Sequence, residues 1–241
     1  MYTTLVFLPL LGAIIAGFFG RLIGDRVSMA VTLAGITIPA LLSFVVLYQV
    51  TGSGGPVTVD LFTWIDSDAF EVAWALRVDT LTAVMFVVVT VVSCLVHWYS
   101  VGYMSHDNAI PRFFAYLSLF TFAMLMLVSA DNFLQMFFGW EGVGLCSYLL
   151  IGFWFDRPSA NAAAIKAFVV NRVGDFGFAL GIMAIFFTFN SVEFDTVFAA
   201  APDIAGKTMS FLGIDWDILT VITILLFIGA MGKSAQLGLH T

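Results

Sequence analysis

The sequence predicts an all-α membrane protein, a polytopic helix bundle of about seven transmembrane helices with the last one broken and one short β-hairpin-like external loop. Hydrophobic residues make up 61% of the 241 positions and charged residues 10%, with a mean hydropathy of +1.03, far from the balance of a soluble domain. Apolar runs of about 18 or more residues recur along nearly the whole chain, and each suits the roughly 20 residues of helix that cross a ~30 Å hydrocarbon layer. Helices are the natural spanning element because they satisfy their own backbone polarity in lipid.

Taken in order, the expected spans run from Thr3 to Gly20, Met29 to Val50, Val78 to Tyr99, Arg112 to Ser129, Asn132 to Trp154, Ala162 to Phe189, and Ile218 to Leu239. The first run lacks a basic start and an A-x-A-like exit, so it reads as a retained helix rather than a cleavable signal. The short connections "RLIGDRVS", "MSHDNAIPR" and "FDRPSAN" carry Arg21, Arg26, Arg112 and Arg157, whereas the opposite side holds only Arg77 and Lys207. By the positive-inside rule the basic connections face the cytoplasm or its equivalent, and the N-terminus faces out. The formal net charge of -7 therefore acquires meaning only once each charge is placed by side.

Residues 51–77 contain "VTVDLFTWI" and "FEVAWALRV", whose alternation and β-branched or aromatic residues predict a hairpin capping the outer face. The segment "SVEFDTVFAAAPDIAGKTMSFLGIDWD" reads as one short amphipathic stretch on the same surface. Trp98, Tyr99, Trp154 and Trp216 fall near span ends, as interfacial aromatics do. The two cysteines, Cys94 and Cys146, are too few for an iron-sulfur cluster or a four-thiolate zinc site and read as packing residues. The domain division is residues 1–111 for the N-terminal helices and 112–241 for a charged-span module.

Glu141, Lys166, Arg172, Asp175 and Lys233 are the charges left inside spans, with Asp79 and His97 nearer span ends. An ionised group at a helix centre costs at least ~2.5 to 3.5 kcal/mol on insertion scales, so such residues face a polar interior and find partners. A structural ion pair is the plain reading. The functional one is a proton relay, in which Glu141 and Lys233 interact across helices and titrate as a pair. Arg172 and Asp175, three apart, share a helical face and can meet. Lys166 lies about half a turn round the helix from Asp175 and must face elsewhere or snorkel. Gly229 and Gly232 weaken the helix just before Lys233, where a break would free backbone groups beside the lysine.

Two lookalikes are set aside. "GKS" at Gly232 to Ser234 lacks the earlier Walker glycine, because Phe227 holds that place, and no strand precedes it. "GWEGVG" has dinucleotide-loop glycines without a βαβ context, so Gly139, Gly142 and Cys146 read instead as a small-residue packing face.

The stretches "GWEGVGLCSYLLIGFW", "AAIKAFVVNRVGDFGFALG" and "GKSAQLGLHT" closely resemble the antiporter-like subunits of respiratory complex I, of the NuoL type. "SVGYMSHDNAIPRFFAYLSLFTFAMLMLVSADNFLQMFFGWE" is similar to the same family's third-to-fifth spans. The resemblance implies a proton-translocating membrane subunit of NADH:quinone oxidoreductase, driven by redox energy released elsewhere. It implies no cofactor in this chain, with NADH, flavin, iron-sulfur clusters and quinone in partner subunits. The implied partners are other membrane subunits, especially a neighbouring antiporter-like one, together with the lipid bilayer and no nucleic acid. The implied place is a bacterial cytoplasmic membrane rather than a mitochondrial inner membrane.

Carried over residue by residue, Glu141 matches the family's fifth-span glutamate and Lys233 its broken-span lysine. Arg172 and Asp175 match the flanking sixth-span pair, His240 matches a histidine beside the break, and Lys166 joins the relay less directly. Family members have roughly twice the spans, in two inverted repeats followed by a lateral helix, so a chain ending at Thr241 is expected to be a fragment holding most of one half-channel. A subunit of a multi-subunit sodium/proton antiporter shares these residue kinds and is the nearest alternative. A membrane scaffold with purely structural ion pairs is the alternative of another class.

Overall fold

The computed structural model describes residues 1–241 apart from 54, 68, 69, 212 and 241. Among the described residues five helices are long and apolar enough to cross a membrane, and they dominate the fold. The first, α1 (Tyr2–Ser53), has 52 residues, about 78 Å of helix and more than twice the hydrocarbon thickness. It turns back at Gly24, whose φ of 80° and ψ of 169° are non-helical and open to a residue without Cβ. The two limbs then pack on each other through small residues: a Cβ on Gly12 would lie 3.5 Å from Thr32 Cα, and one on Gly35 3.3 Å from Leu8 O. These limbs are the first two expected spans, divided where Arg21, Asp25 and Arg26 meet the interface.

α2 (Thr80–Tyr103), α3 (Ile110–Val128), α4 (Phe133–Ile151) and α5 (Pro158–Phe189) supply the next four. Helix starts follow local chemistry. Asp79 and Asn132 cap α2 and α4 by accepting from Thr82 N at 2.8 Å and Gln135 N at 2.7 Å, and prolines open α3 and α5. The last span differs from its expected extent. α7 (Ile218–Lys233) has 16 residues, about 24 Å, and stops at the lysine instead of running on to Leu239. The break lies immediately after Lys233, where Ala235 has φ 50°. Gly229 and Gly232 themselves stay helical because, as shown below, they are packing sites.

The expected external hairpin is formed by β1 (Val57–Ser67) and β2 (Phe70–Val78), antiparallel, with Val57 opposite Val78 and Ser67 opposite Phe70. One face of β2, including Val72, Trp74, Leu76 and Val78, is buried. Trp74 stacks on Phe62 and meets Phe138 of α4 edge-on at 4.8 Å. Residues 191–217 depart from the single amphipathic stretch expected there. They form α6 (Phe194–Ile204), which does bury one side through Val197, and a second hairpin of β3 (Thr208–Phe211) with β4 (Ile214–Asp217). The alternation in "TMSF" and "IDWD" is too short to separate from a helical edge by periodicity.

Both outer segments are fastened to the α3–α4 turn. Gln135, fully buried, acts as a strand neighbour to Ala75: its Nε2 donates to Ala75 O at 2.7 Å, and its Oε1 accepts from Ala75 N at 3.1 Å. Asn132 Nδ2 donates to Ala73 O at 2.8 Å, and Arg77 N donates to Ser129 O at 2.9 Å. On the other flank Phe133 N donates to Val192 O and Phe194 N to Asp131 O, while Arg77 Nη1 reaches Asp195 Oδ1 at 2.5 Å. Trp98, Tyr99, Trp154 and Trp216 are exposed near helix ends, in keeping with the interfacial pattern.

Candidate functional site: a charged chain between α4, α5 and α7

Small residues bring three helices together. On α4, a Cβ at Gly139 would stand 2.6 Å from the backbone of Leu127, and one at Gly142 would be 3.0 Å from Ala123 Cβ, so this face and buried Cys146 lie hard against α3. The packing turns Trp140, Glu141 and Gly144 away from α3. On α5, Gly174, Gly177 and Gly181 receive α7. A Cβ at Gly174 would meet Ile228 O at 3.1 Å and Gly232 Cα at 3.2 Å, and one at Gly177 would meet Ile228 Cγ2 at 2.6 Å.

This packing sets depth. Gly174 lies about 24 Å of helix from Pro158 and about 22 Å from Phe189, so Gly232 and Lys233 reach the middle of α5. Glu141 is about 12 Å from Phe133 and about 15 Å from Ile151, the middle of α4. A helix of 16 residues ending at Lys233 thus delivers its terminal lysine beside the middle of α5, inside the bundle.

The side chains there form a chain of alternating sign. Arg172 Nη1 on α5 donates to Glu141 Oε1 on α4 and lies 3.9 Å from Asp175 Oδ2. The same Asp175 oxygen lies 3.9 Å from Lys233 Nζ on α7. The order is Glu141, Arg172, Asp175, Lys233. Among the described residues Glu141 is not within ion-pairing distance of Lys233, and Asp175 is the carboxylate that is. The expected meeting of Arg172 with Asp175 is present. Exposure is uneven along the chain: 24% for the Glu141 side chain, 49% for Arg172, 3% for Asp175 and 17% for Lys233.

Trp140, which sequence reasoning did not select, completes the site. Its Nε1 donates to Asp175 Oδ1 at 2.8 Å, and its ring centroid lies 5.8 Å from Lys233 Nζ. The indole stacks on Phe178 at 5.0 Å, and Phe178 fills the space left by Gly229, where a Cβ would come 2.6 Å from its Cδ2. Gly229 therefore seats the aromatic that stacks on the indole, while Gly232 lies against Gly174 of α5. Lys233 Nζ is buried without a hydrogen-bond partner and touches Gly144, where a Cβ would stand 2.6 Å away. The signal for Trp140 was its adjacency to Glu141, which places it about 100° round α4.

Lys166 and His240 lie elsewhere. Both line a cavity of about 650 Å³ together with Ser159, Asn171, Gly232 and Ala235, on the other side of the α5–α7 contact. Neither makes a hydrogen bond or ion pair among the described residues. The expectation that Lys166 faces away from Asp175 is met, and the break after Lys233 forms one wall of this space.

His97, six residues before the end of α2, is fully buried between α2 and α3. Its Nδ1 lies 2.8 Å from Ser93 O and its Nε2 lies 3.1 Å from Ser118 Oγ; since a carbonyl only accepts, Nδ1 donates, and in the neutral ring Nε2 accepts the Ser118 hydroxyl. Among the described residues no group of three or more His, Cys, Asp or Glu side chains converges as a metal site would.

Comparison with known proteins bears on this arrangement. The profile described as "NADH:quinone oxidoreductase/Mrp antiporter, TM" matches residues 130–241, and that described as "NADH-Ubiquinone oxidoreductase (complex I), chain 5 N-terminus" matches 64–114. NADH-quinone oxidoreductase subunit L of Rhodobacter capsulatus is 54% identical over 248 residues, covering 100% of this chain and 35% of that protein. NADH-ubiquinone oxidoreductase chain 5 of Marchantia polymorpha is 52% identical over 243 residues, covering 100% of this chain and 36% of that one. The chain thus spans roughly a third of the length of these curated relatives. Two solved structures share the fold. The archaeal membrane-bound sulfane sulfur reductase matches at 17% identity and TM-score 0.79, covering 95% of this chain and 44% of its own. The Mrp complex of Dietzia sp. DQ12-45-1b matches at 21% and 0.76, covering 99% and 24%. The charged mid-membrane helices fall within the first profile and the external hairpin largely within the second, and the chain belongs to the antiporter-like membrane subunits of the complex I and Mrp family, of the subunit L/chain 5 type.

Proposed function

We propose that this chain contributes a proton half-channel to a proton-translocating subunit of an NADH:quinone oxidoreductase. The observation that carries the reading is the Glu141–Arg172–Asp175–Lys233 chain at mid-membrane depth. Arg172 contacts both carboxylates. When it engages Glu141 fully, Asp175 is left to hold the Lys233 ammonium. When it swings towards Asp175, the lysine loses its counter-ion and its proton becomes easier to release. Glu141, Asp175 and Lys233 then exchange one proton as a coupled set, with Arg172 keeping its charge and acting as the moving counter-ion. The cavity holding Lys166 and His240 is the route by which water reaches the break beside Lys233.

In this reading residues 112–241 supply most of the first antiporter-like repeat and residues 1–111 the flanking helices. The partners are other membrane subunits of the complex, including a neighbouring antiporter-like one. NADH, flavin, iron-sulfur clusters and quinone belong to those partners, so the chain serves as the translocase part of an enzyme whose redox chemistry lies elsewhere. Its place in this reading is the bacterial cytoplasmic membrane, a reading supported by the 54% identity to a subunit from Rhodobacter capsulatus.

The test is NADH-driven proton uptake in vesicles containing the assembled complex, with Glu141→Gln and Lys233→Ala compared with wild type. Each is expected to lower the protons moved per NADH while the complex still assembles. Unchanged stoichiometry in both would overturn the reading. Sodium dependence of transport would favour antiporter membership instead.

A further inference from the structure

At the end of the bundle that carries Arg21, Arg26 and Arg157, a cavity of about 460 Å³ opens between the start of α3, the end of α4 and the start of α5. Its polar wall is Arg112, Tyr116 and Tyr148, and its apolar wall includes Phe153, Phe155 and Ile165. Arg112 is held as a flat plate: its Cζ lies 4.6 Å from the Phe153 ring centroid and 5.1 Å from that of Phe155, and its Nη2 donates to Phe153 O at 3.1 Å.

That fixed guanidinium has one acceptor among the described residues, the Phe153 carbonyl. Its Nε is buried with no hydrogen-bond partner, and no carboxylate lies within ion-pairing distance among the described residues. The nearby Asp107 is already occupied, accepting from Trp154 Nε1 at 2.9 Å and from Ala109 N at 2.8 Å. The hydroxyls of Tyr116 and Tyr148 make no hydrogen bond among the described residues. One guanidinium with a single carbonyl acceptor, joined by two free phenols, is a donor set awaiting an anion of several oxygens. Guanidinium geometry matches a phosphate better than a halide or a single carbonyl.

We propose that this cavity binds the phosphodiester headgroup of an anionic phospholipid. A lipid suits it better than a soluble phosphate because the cavity adjoins Phe155 and Ile165, each 57% exposed, at the ends of spans where an acyl chain can lie along α5. Basic pockets between helices at a membrane interface hold headgroups in this way. The site lies apart from the Glu141–Lys233 chain and does not depend on the proton-relay reading.

The test uses the protein in nanodiscs of phosphatidylcholine with a minority of phosphatidylglycerol, followed by native mass spectrometry of the lipid retained. Wild type is expected to retain phosphatidylglycerol over phosphatidylcholine, and Arg112→Ala to lose about fivefold of that preference. The paired change Tyr116→Phe with Tyr148→Phe keeps the cavity shape and is expected to weaken retention while the melting temperature stays at the wild-type value. Glycerol phosphate and inorganic phosphate, added separately, are expected not to displace the lipid. Displacement by either would identify a soluble phosphate site and overturn the proposal, as would equal phosphatidylglycerol retention by wild type and both variants.

Discussion

Lys233 Nζ lies 3.9 Å from Asp175 Oδ2, while the other oxygen of that carboxylate is held by the Trp140 indole. Asp175 is 3% exposed, so the lysine's counter-charge is the most buried group of the site. The carboxylate within ion-pairing distance of the lysine is therefore on α5, whereas Glu141 lies on α4.

Removing one member of a buried ion pair costs about 3–5 kcal/mol, because the other charge is stranded. Asp175→Asn is expected to cut proton pumping about tenfold or more. Combined with Lys233→Gln, it should show a thermal-stability coupling of at least about 1 kcal/mol in a double-mutant cycle. Strict additivity of the two changes would remove Asp175 as the lysine's partner.

Trp140→Phe retains a ring to stack on Phe178 but deletes the N–H donated to Asp175. A hydrogen bond to a charged group contributes about 1.5–3 kcal/mol. The variant should assemble normally and pump several-fold more slowly, with its pH profile displaced from wild type. A slower variant with an unmoved profile would make the indole merely structural.

Two glycines on α4 separate function from packing. A Cβ at Gly144 meets the mobile end of Lys233, whereas one at Gly139 meets the backbone of Leu127. Gly144→Ala should leave thermal stability within about 1 kcal/mol of wild type but impair pumping by shifting the ammonium.

Gly139→Ala should instead destabilise by about 1–3 kcal/mol through overpacking, read as a lower melting temperature and poorer assembly. If Gly139→Ala melts as wild type does, the close approach of α4 to α3 is not as described.

Outside the membrane, burial pushes the Asp131 carboxyl above the ordinary range, opposed by Arg77 and reinforced by Asp195, Glu193 and Asp60. A carboxyl that binds its proton more tightly when folded lends stability that is complete below its unfolded value and is lost as pH rises through the folded one. Melting temperature should therefore decline from about pH 4 upward more steeply in wild type than in Asp131→Asn. Parallel curves for the two proteins would contradict this assignment.

Much of this architecture follows from local chemistry. The kink of α1 coincides with a glycine among charges, the hairpin strands alternate, and caps and prolines mark the helix starts. Glu141, Arg172, Asp175 and Lys233 stood out because ionised groups are costly in lipid. Their pairing was less legible. Spacing related Arg172 to Asp175 on one helix, but no spacing relates α4 to α7, so the place of Asp175 and Arg172 between Glu141 and Lys233 was not legible. Trp140, Gln135 and Gly144 passed unnoticed because an indole, an amide and a glycine cost little to place in an apolar helix and leave no mark in composition.

Hydropathy, periodicity and the intolerance of lipid for charge were enough to set the class, the spans and the membership of the charged site, since each depends on a residue and its near neighbours. The tertiary structure decided which carboxylate faces the lysine, how deep α7 ends and why Gly229 and Gly232 precede it. Those depend on how closely α4, α5 and α7 approach, and that approach is set by glycines far apart in sequence meeting backbone across an interface.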